Sequence, residues 1–411
     1  MTDSLSPAGP RRAALAFIFV TVALDMLAIG IIIPVLPKLI ERFMGGDTAN
    51  AAEVFGVFGT VWAAMQFFSS PVMGALSDRF GRRPVILLSN FGLGLDYIIM
   101  ALAPDLAWLL VGRVISGICA ASVSTSFAYI ADVTPPEKRA AGFGMVGMAF
   151  GFGFVVGPAM GGLLAGIEPW LPFWVAAAFS LANGCYGLFV LPESLPPDRR
   201  AAFAWKRANP IGALNLLREQ PALLGLAFVN FLSQLAHVVL PAMSVLYTGY
   251  RYGWDETTVG LMLAGVGVCS AIVQGALVRR VVARFGERRT LLAGLVFGTL
   301  GFAGIGLAPT GALYLATVPL MALWGLSGPA VQGLMTRRVD GRSQGRLQGA
   351  NGSLTSVAAL IGPGLFTLTF ARFIAPEAAW HVPGAPFLLA ALLLVAALAL
   401  AWRVAVAATT N

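Results

Sequence analysis

The sequence predicts an all-α integral membrane protein, with twelve transmembrane helices in two pseudo-symmetric six-helix bundles. Three observations carry this. Of 411 residues, 58% are hydrophobic and only 11% charged, less than half the roughly 25% charged share of a soluble domain. Mean hydropathy is +0.81. The apolar residues fall into twelve runs of about 20, each long enough to cross a hydrocarbon core of about 30 Å. The two halves of the chain also echo each other, the sequence sign of a secondary transporter. Disordered chain, coiled coil and a basic nucleic-acid-binding domain are poor fits. The formal charge of +8 and the pI near 9.9 come from residues placed mostly in short loops between the runs.

The runs cover 13–36, 54–76, 84–103, 107–130, 141–166, 171–191, 222–246, 257–279, 290–308, 311–335, 347–371 and 385–405. Barrel strands would be far shorter, so each is a helix. The first run is expected to stay in place. It is too long for a signal-peptide core, contains Asp25, and has no small-residue cleavage site after it. Of the 27 Lys and Arg residues, 22 fall on the side of the N-terminus and four (Lys38, Arg42, Arg251, Arg372) on the other. The asymmetry places both termini in the cytoplasm. Cys119, Cys185 and Cys269 lie inside apolar runs and read as small buried hydrophobes rather than a disulfide framework.

The loop 192–221, rich in Pro and charge, separates an N-terminal bundle, 1–191, from a C-terminal one, 222–411. Gly74-Ala75-Leu76 leads to Arg79-Phe80-Gly81-Arg82-Arg83 after span two, and Gly275-Ala276-Leu277 leads to Arg284-Phe285-Gly286-Glu287-Arg288-Arg289 after span eight. Gly157-Pro158 of span five has a fainter counterpart in Gly362-Pro363 of span eleven.

Three charges lie inside the spans: Asp25, Asp96 and Arg113. A charge at the bilayer centre costs about 2.5–3.5 kcal/mol even on the mild insertion scale, so each needs a partner or a purpose. At about 1.5 Å per residue, Asp25 lies roughly 16 Å from the outer end of its span, Asp96 roughly 10 Å and Arg113 roughly 9 Å. The last two match in depth on adjacent antiparallel helices, so they are expected to pair. The set sums to one negative charge, which one bound proton would neutralise. Asp25, with no such partner, is then the expected proton carrier. The blander alternatives are a packing contact for Asp25 and a fixed ion pair for Asp96 and Arg113.

In span seven, Asn230, Ser233, Gln234 and His237 share one helical face. His237 is the single histidine within a span. It can serve as a second proton site, as a hydrogen-bond partner for substrate, or as a contact to a neighbouring helix. Asn230 and Gln234 are candidate cavity lining or helix glue. Gln66 and Gln274 offer uncharged donors and acceptors in spans two and eight. Gly74 and Gly81 permit a tight turn. Asp78 can accept from amides or arginines, and Arg79, Arg82 and Arg83 can bridge to helix ends or anionic lipid. The glycines of span five (Gly147, Gly151, Gly153, Gly157, Gly161, Gly162) run at near-i, i+4 spacing, which lets another helix approach closely. Pro158 is expected to kink that span.

These residues resemble a family. Gly74-Ala75-Leu76-Ser77-Asp78-Arg79-Phe80-Gly81-Arg82-Arg83 is similar to the signature loop of the major facilitator superfamily. Gly153 to Gly162 resembles the span-five antiporter motif of its drug:proton exchangers. Leu24 to Pro37 resembles the first span of the tetracycline-efflux branch, as do Leu95-Asp96-Tyr97, Gly112-Arg113, Gln66, Tyr252-Gly253-Trp254 and Leu347-Gln348-Gly349. The resemblance implies a proton-coupled exporter of a moderately hydrophobic organic compound, with a tetracycline-like molecule as the first cargo to test, that works by alternating access in a bacterial cytoplasmic membrane. It implies antibiotic resistance as the outcome, protons, small-molecule substrate and lipid as partners, a monomer, and no cofactor, metal or nucleic acid. It makes the signature loop a cytoplasmic latch and places substrate contacts at Gln66 and Gln274. There is a departure. Where the tetracycline exporters carry a histidine in span eight and an aspartate in span nine, this chain has Ser270 and Gly298. A facilitator or symporter of another solute is the alternative within transport. A membrane enzyme is disfavoured because no metal-ligand, P-loop or Gly-x-Ser-x-Gly pattern occurs. A channel is disfavoured because no polar lining runs along one helix set.

Overall fold

The computed structural model describes residues 8–120, 123–135, 139–201, 215–220, 223–339 and 344–407. Among them every regular element is helical. In chain order these are α1 (Ala8–Ile32), α2 (Leu36–Phe43), α3 (Thr48–Phe80), α4 (Arg82–Ala101), α5 (Leu106–Ala120), α6 (Val123–Val133), α7 (Arg139–Ile167), α8 (Leu171–Val190), α9 (Asn215–Glu219), α10 (Leu224–His237), α11 (Val239–Tyr252), α12 (Glu256–Ile272), α13 (Val278–Leu307), α14 (Gly311–Ala322), α15 (Ser327–Thr336), α16 (Gln344–Ile374) and α17 (Ala385–Ala407).

Eleven helical runs among the described residues are long and apolar enough to span a bilayer. One of them, Glu256–Leu307, has 52 residues, about 78 Å at 1.5 Å per residue, more than twice the core thickness. It divides at Gly286, whose φ of 76° and ψ of 164° belong to no helix. Spans eight and nine are the two parts, which brings the count to the expected twelve. Span one is α1 with α2, and span seven is α10 with α11. Of the three cysteines, Cys119 is buried and Cys269 half-buried, but Cys185 is exposed on α8. That span has apolar residues on all sides, so its pattern cannot say which face is covered.

The chain divides into two compact units. The first comprises Met1–Val35 and Ala64–Asn209, the second Leu36–Ala63 and Pro210–Asn411. Helix α3 contributes to both. Its start is capped by Asp47, whose Oδ1 accepts from the amides of Ala49 and Asn50 at 3.1 Å. The Asn50 amide foremost holds that exposed carboxyl below its ordinary range.

Within the first unit, α1 lies along α7 and also packs on α8. The α1–α7 seam depends on missing side chains. A Cβ on Gly153 would collide with Met26, one on Gly157 with the backbone of Gly30, and one on Gly161 with the carbonyl of Ile31. These three glycines recur every four residues and so form one stripe. Gly147 and Gly151 have open space where a side chain would go, so only part of the glycine run makes the seam. Helix α7 continues through Pro158, which stands against Gly30.

Within the second unit, an aromatic cluster of buried Tyr247, Tyr314, Phe370 and Phe387 with half-buried Tyr252 ties α11, α14, α16 and α17 together. The Tyr247 hydroxyl donates to the Ile305 carbonyl at 3.0 Å and that of Tyr252 to the Ala308 carbonyl at 2.9 Å, so both rings have their polar ends satisfied. Gly59 of α3 sits against Pro363 of α16, and Gly56 against Thr367.

The seam yields a direct test. Overpacking a tight contact costs about 1–3 kcal/mol, so Gly157→Ala and Gly161→Ala should lower the melting temperature of purified protein by several degrees, while Gly147→Ala and Gly151→Ala should melt like wild type. Size-exclusion profiles after graded heating measure this. Equal effects at Gly147 and Gly161 would show that the seam is not where the tight contact lies.

Candidate functional site

Helix α1 carries two of the first unit's buried polar groups, Thr21 and Asp25. Asp25 is 6% exposed. The amide nitrogen of Asn183, on α8, donates to Asp25 Oδ1 at 2.9 Å and to the Thr21 carbonyl at 3.0 Å. Thr21 and Asp25 are four residues apart and so share a helix face, which lets a single amide reach both. Asn183 is fully buried, and its Oδ1 has no partner. The sequence did hold a signal for it, since an asparagine in an apolar span has to find a partner on another helix.

Asp96, on α4, is fully buried, and neither of its carboxylate oxygens accepts a hydrogen bond. Gly112 of α5 makes room for it, because a Cβ there would stand 2.7 Å from Asp96 Oδ1. The expected ion pair between Asp96 and Arg113 is not formed. One guanidinium nitrogen of Arg113 instead contacts Met100 Sδ at 3.4 Å. Met100 follows Asp96 by four residues on the same face of α4, so the long arginine side chain reaches a point one turn beyond the carboxylate. Matching depth on adjacent helices brought the residues near each other but did not determine the rotamer. Asp25, expected to be the less well paired acid, is the one that holds a hydrogen bond.

The signature loop is built around Arg82 at the start of α4. Its guanidinium meets Asp78 at 2.5 Å, Ser77 Oγ at 2.7 Å and Asp132, at the end of α6, at 3.1 Å. Gly81 precedes it with φ 106°, a conformation that favours glycine. Glu193, just past α8, accepts from the backbone amides of Arg82 and Arg83 at 2.8 and 3.3 Å. A carboxylate there satisfies amides that a helix start leaves unpaired and meets the positive end of the helix dipole. Arg83 donates to the Leu188 carbonyl at 2.6 Å. Arg79 is exposed and lies over the Phe80 ring, and Gly74 is half-buried in α3. Glu193 and Asp132 are distant in sequence, and the motif gave no sign of them.

The second unit repeats this turn with its charges exchanged. Gly286 has the same backbone form as Gly81, and Arg284 lies over Phe285 as Arg79 lies over Phe80. The next residue is Glu287 in place of Arg82. It pairs at 3.0 Å with Arg337, just past α15, in place of Asp132. The ion pair from this turn to the neighbouring helix end is therefore kept with opposite polarity.

The span-seven face in the second unit is divided between two neighbours. Gln234 donates to Thr355 Oγ1 of α16 at 3.2 Å. Ser233 Oγ accepts from the indole N–H of Trp324 at 3.0 Å, and His237 stacks on that indole with centroids 5.0 Å apart. Asn230 is half-buried. Gln274 is exposed on a π-turn, Val273–Leu277. Gln66 is half-buried in the first-unit part of α3. Gly298 lies against Trp324. Nothing in the sequence pointed to Trp324. No cluster of metal-ligating side chains occurs among the described residues.

The Major Facilitator Superfamily model matches residues 18–363 and 238–410. The tetracycline resistance protein, class C, of Escherichia coli is 38% identical over 87% of this chain and 90% of its own. The class D protein of Salmonella ordonez is 34% identical over 85% and 87%. Among solved structures, a bacterial homologue of the human lysosomal transporter Spinster superposes with a TM-score of 0.79 at 16% identity, covering 97% of this chain and 98% of that one, which supports the fold.

The capping carboxylate can be tested in isolation. Losing a helix cap costs about 0.5–2 kcal/mol, so Glu193→Ala should lower the melting temperature and Glu193→Gln should lower it less. A Glu193→Ala protein as stable as wild type would mean that the two amides gain nothing from the contact.

Proposed function

Because the chain belongs to the major facilitator superfamily, we propose that it exports a moderately hydrophobic organic compound in exchange for protons, with a tetracycline-like molecule as the leading cargo. The observation that carries this is the near-full-length similarity to tetracycline resistance proteins, in a multi-pass chain whose intramembrane charges are confined to the first unit. The proposed setting is a bacterial cytoplasmic membrane, with both termini in the cytoplasm and a monomer surrounded by lipid.

In this reading the bundles 1–191 and 222–411 rock about a midplane site. Asp25 carries the proton, and Asn183 fixes the carboxyl group's orientation. Asp96 and Arg113 complete the charge set, with Arg113 able to leave the soft Met100 sulfur for a carboxylate. His237 is a second candidate for proton coupling. Gln66, Asn230, Gln234 and Gln274 are the proposed polar substrate contacts. The Asp78–Arg82 loop acts as a cytoplasmic latch, and the Gly153, Gly157, Pro158, Gly161 and Gly162 seam prevents leak. One proton moving down about 100 mV releases roughly 2.3 kcal/mol, and each pH unit adds about 1.4 kcal/mol. That is enough for a cargo gradient of about two decades.

The test is proton-driven uptake of tetracycline and a panel of dyes into inverted vesicles. Wild type should accumulate cargo only when a pH gradient is imposed, and Asp25→Asn should fall to the level of empty vesicles. Cargo-dependent proton release at the wild-type rate in Asp25→Asn would remove the carrier role. Gradient-independent uptake by wild type would turn the reading toward a facilitator.

A further inference from the structure

Three spans of the second unit lose regular α geometry, spans seven and ten near the middle and span eight toward its C-terminal end. Helix α10 ends at His237 and α11 begins at Val239. Pro241 has no N–H to give the His237 carbonyl, which accounts for the break. Span eight contains the π-turn Val273–Leu277, and span ten a 3₁₀ turn, Leu323–Leu326. Such interruptions weaken backbone hydrogen bonding and concentrate at functional places, above all in transporter spans. The π- and 3₁₀ turns touch, with Gly325 beside Val273 and Gln274. The break in span seven joins them through the stack of His237 on Trp324.

The Trp324 indole is held from several sides. Its N–H donates to Ser233 Oγ at 3.0 Å. Its Cδ1 and Cγ cover Gly298, where a Cβ would stand 2.4 Å from Cδ1. The imidazole of His237 lies 19° from parallel to the indole. Ser233 and His237 are four residues apart on α10, so the helix that anchors the indole also presents the imidazole. His237 is exposed, so the stack on the indole does not seal it in.

We infer that this shelf, an imidazole backed by a pinned indole, is where the second unit takes a flat, conjugated cargo. The inference rests on the exporter reading and supplies its substrate class. Spans seven to twelve contain no Asp or Glu, so this unit has no intramembrane carboxylate with which to select a cation. Stacking on the imidazole, together with a hydrogen bond from a ring nitrogen to an enol, phenol or ketone oxygen, is the recognition chemistry it does have. Gly298 makes the arrangement possible, since any side chain at that position would displace the indole.

Equilibrium dialysis of tetracycline, a flat conjugated probe, against purified full-length protein tests this. An aromatic pair is worth a factor of about two to ten. His237→Leu should weaken binding by that factor, and His237→Phe, which keeps a ring, by less. Gly298→Ala should weaken it like His237→Leu without altering the histidine. His237 is exposed rather than packed in the core, so its variants are the safe ones for folding. Tetracycline binding within twofold of wild type in both His237→Leu and Gly298→Ala would overturn the shelf, as would no binding to wild type. Proton-driven export measured on the same proteins separates the two ideas. Export that ignores His237→Leu counts against the shelf alone, whereas shelf-dependent binding without gradient-driven export counts against the exporter alone.

Discussion

The bilayer core offers no water to an unpaired polar group, and that constraint organises the rest of this structure. It forces the backbone into helices, because only a helix satisfies its own amides within one crossing segment. It also presses polar side chains within a span to find a particular neighbour. Asn183 reaches both Asp25 and the carbonyl one turn before it. Tyr247 and Tyr252 reach carbonyls near the end of α13. Helix association cannot rely on expelling water either, so it falls to close approach between small residues, as in the stripe of Gly153, Gly157 and Gly161 along α1.

The two units meet the same constraint with different chemistry. The first holds Asp25, Asp96 and Arg113, of which Asp25 is bound by Asn183 and Arg113 rests on Met100. The second has no acid within its spans and uses amides, a serine, a histidine and a tryptophan. The repeated cytoplasmic turn carries the same contrast on a smaller scale. Gly81 and Gly286 set one backbone form, and an ion pair from the following residue to a neighbouring helix end recurs as Arg82 with Asp132 and as Glu287 with Arg337. Geometry is the shared element there, and the sign of the charge is free to exchange.

The irregular points of the second unit tie local backbone to the placement of particular side chains. A proline in span seven, a π-turn in span eight and a 3₁₀ turn in span ten each release part of the α ladder. His237, Gln274 and Trp324 sit at those points. Regular helices on either side keep the irregular turns in place, which is how a membrane protein can hold non-ideal backbone at depth.

The sequence by itself determined the number of spans, the family and the identity of the charged residues, because each rests on local composition or on motifs contiguous in the chain. Run length against bilayer thickness found spans eight and nine, although the helix between them is interrupted only at Gly286. Position along a helix also picked out the span-five glycines, but not which of them bear on α1, since spacing alone cannot show which stripe faces a neighbour. Partners were a matter for tertiary structure. Matching depth suggested Asp96 with Arg113, yet the guanidinium rests on Met100 because a long side chain chooses among several acceptors within its reach. Asn183, Glu193, Asp132 and Trp324 entered the site only when the helices were assembled. A contact between residues far apart in the chain is decided by how helices pack and rotate against each other, and no local pattern encodes that.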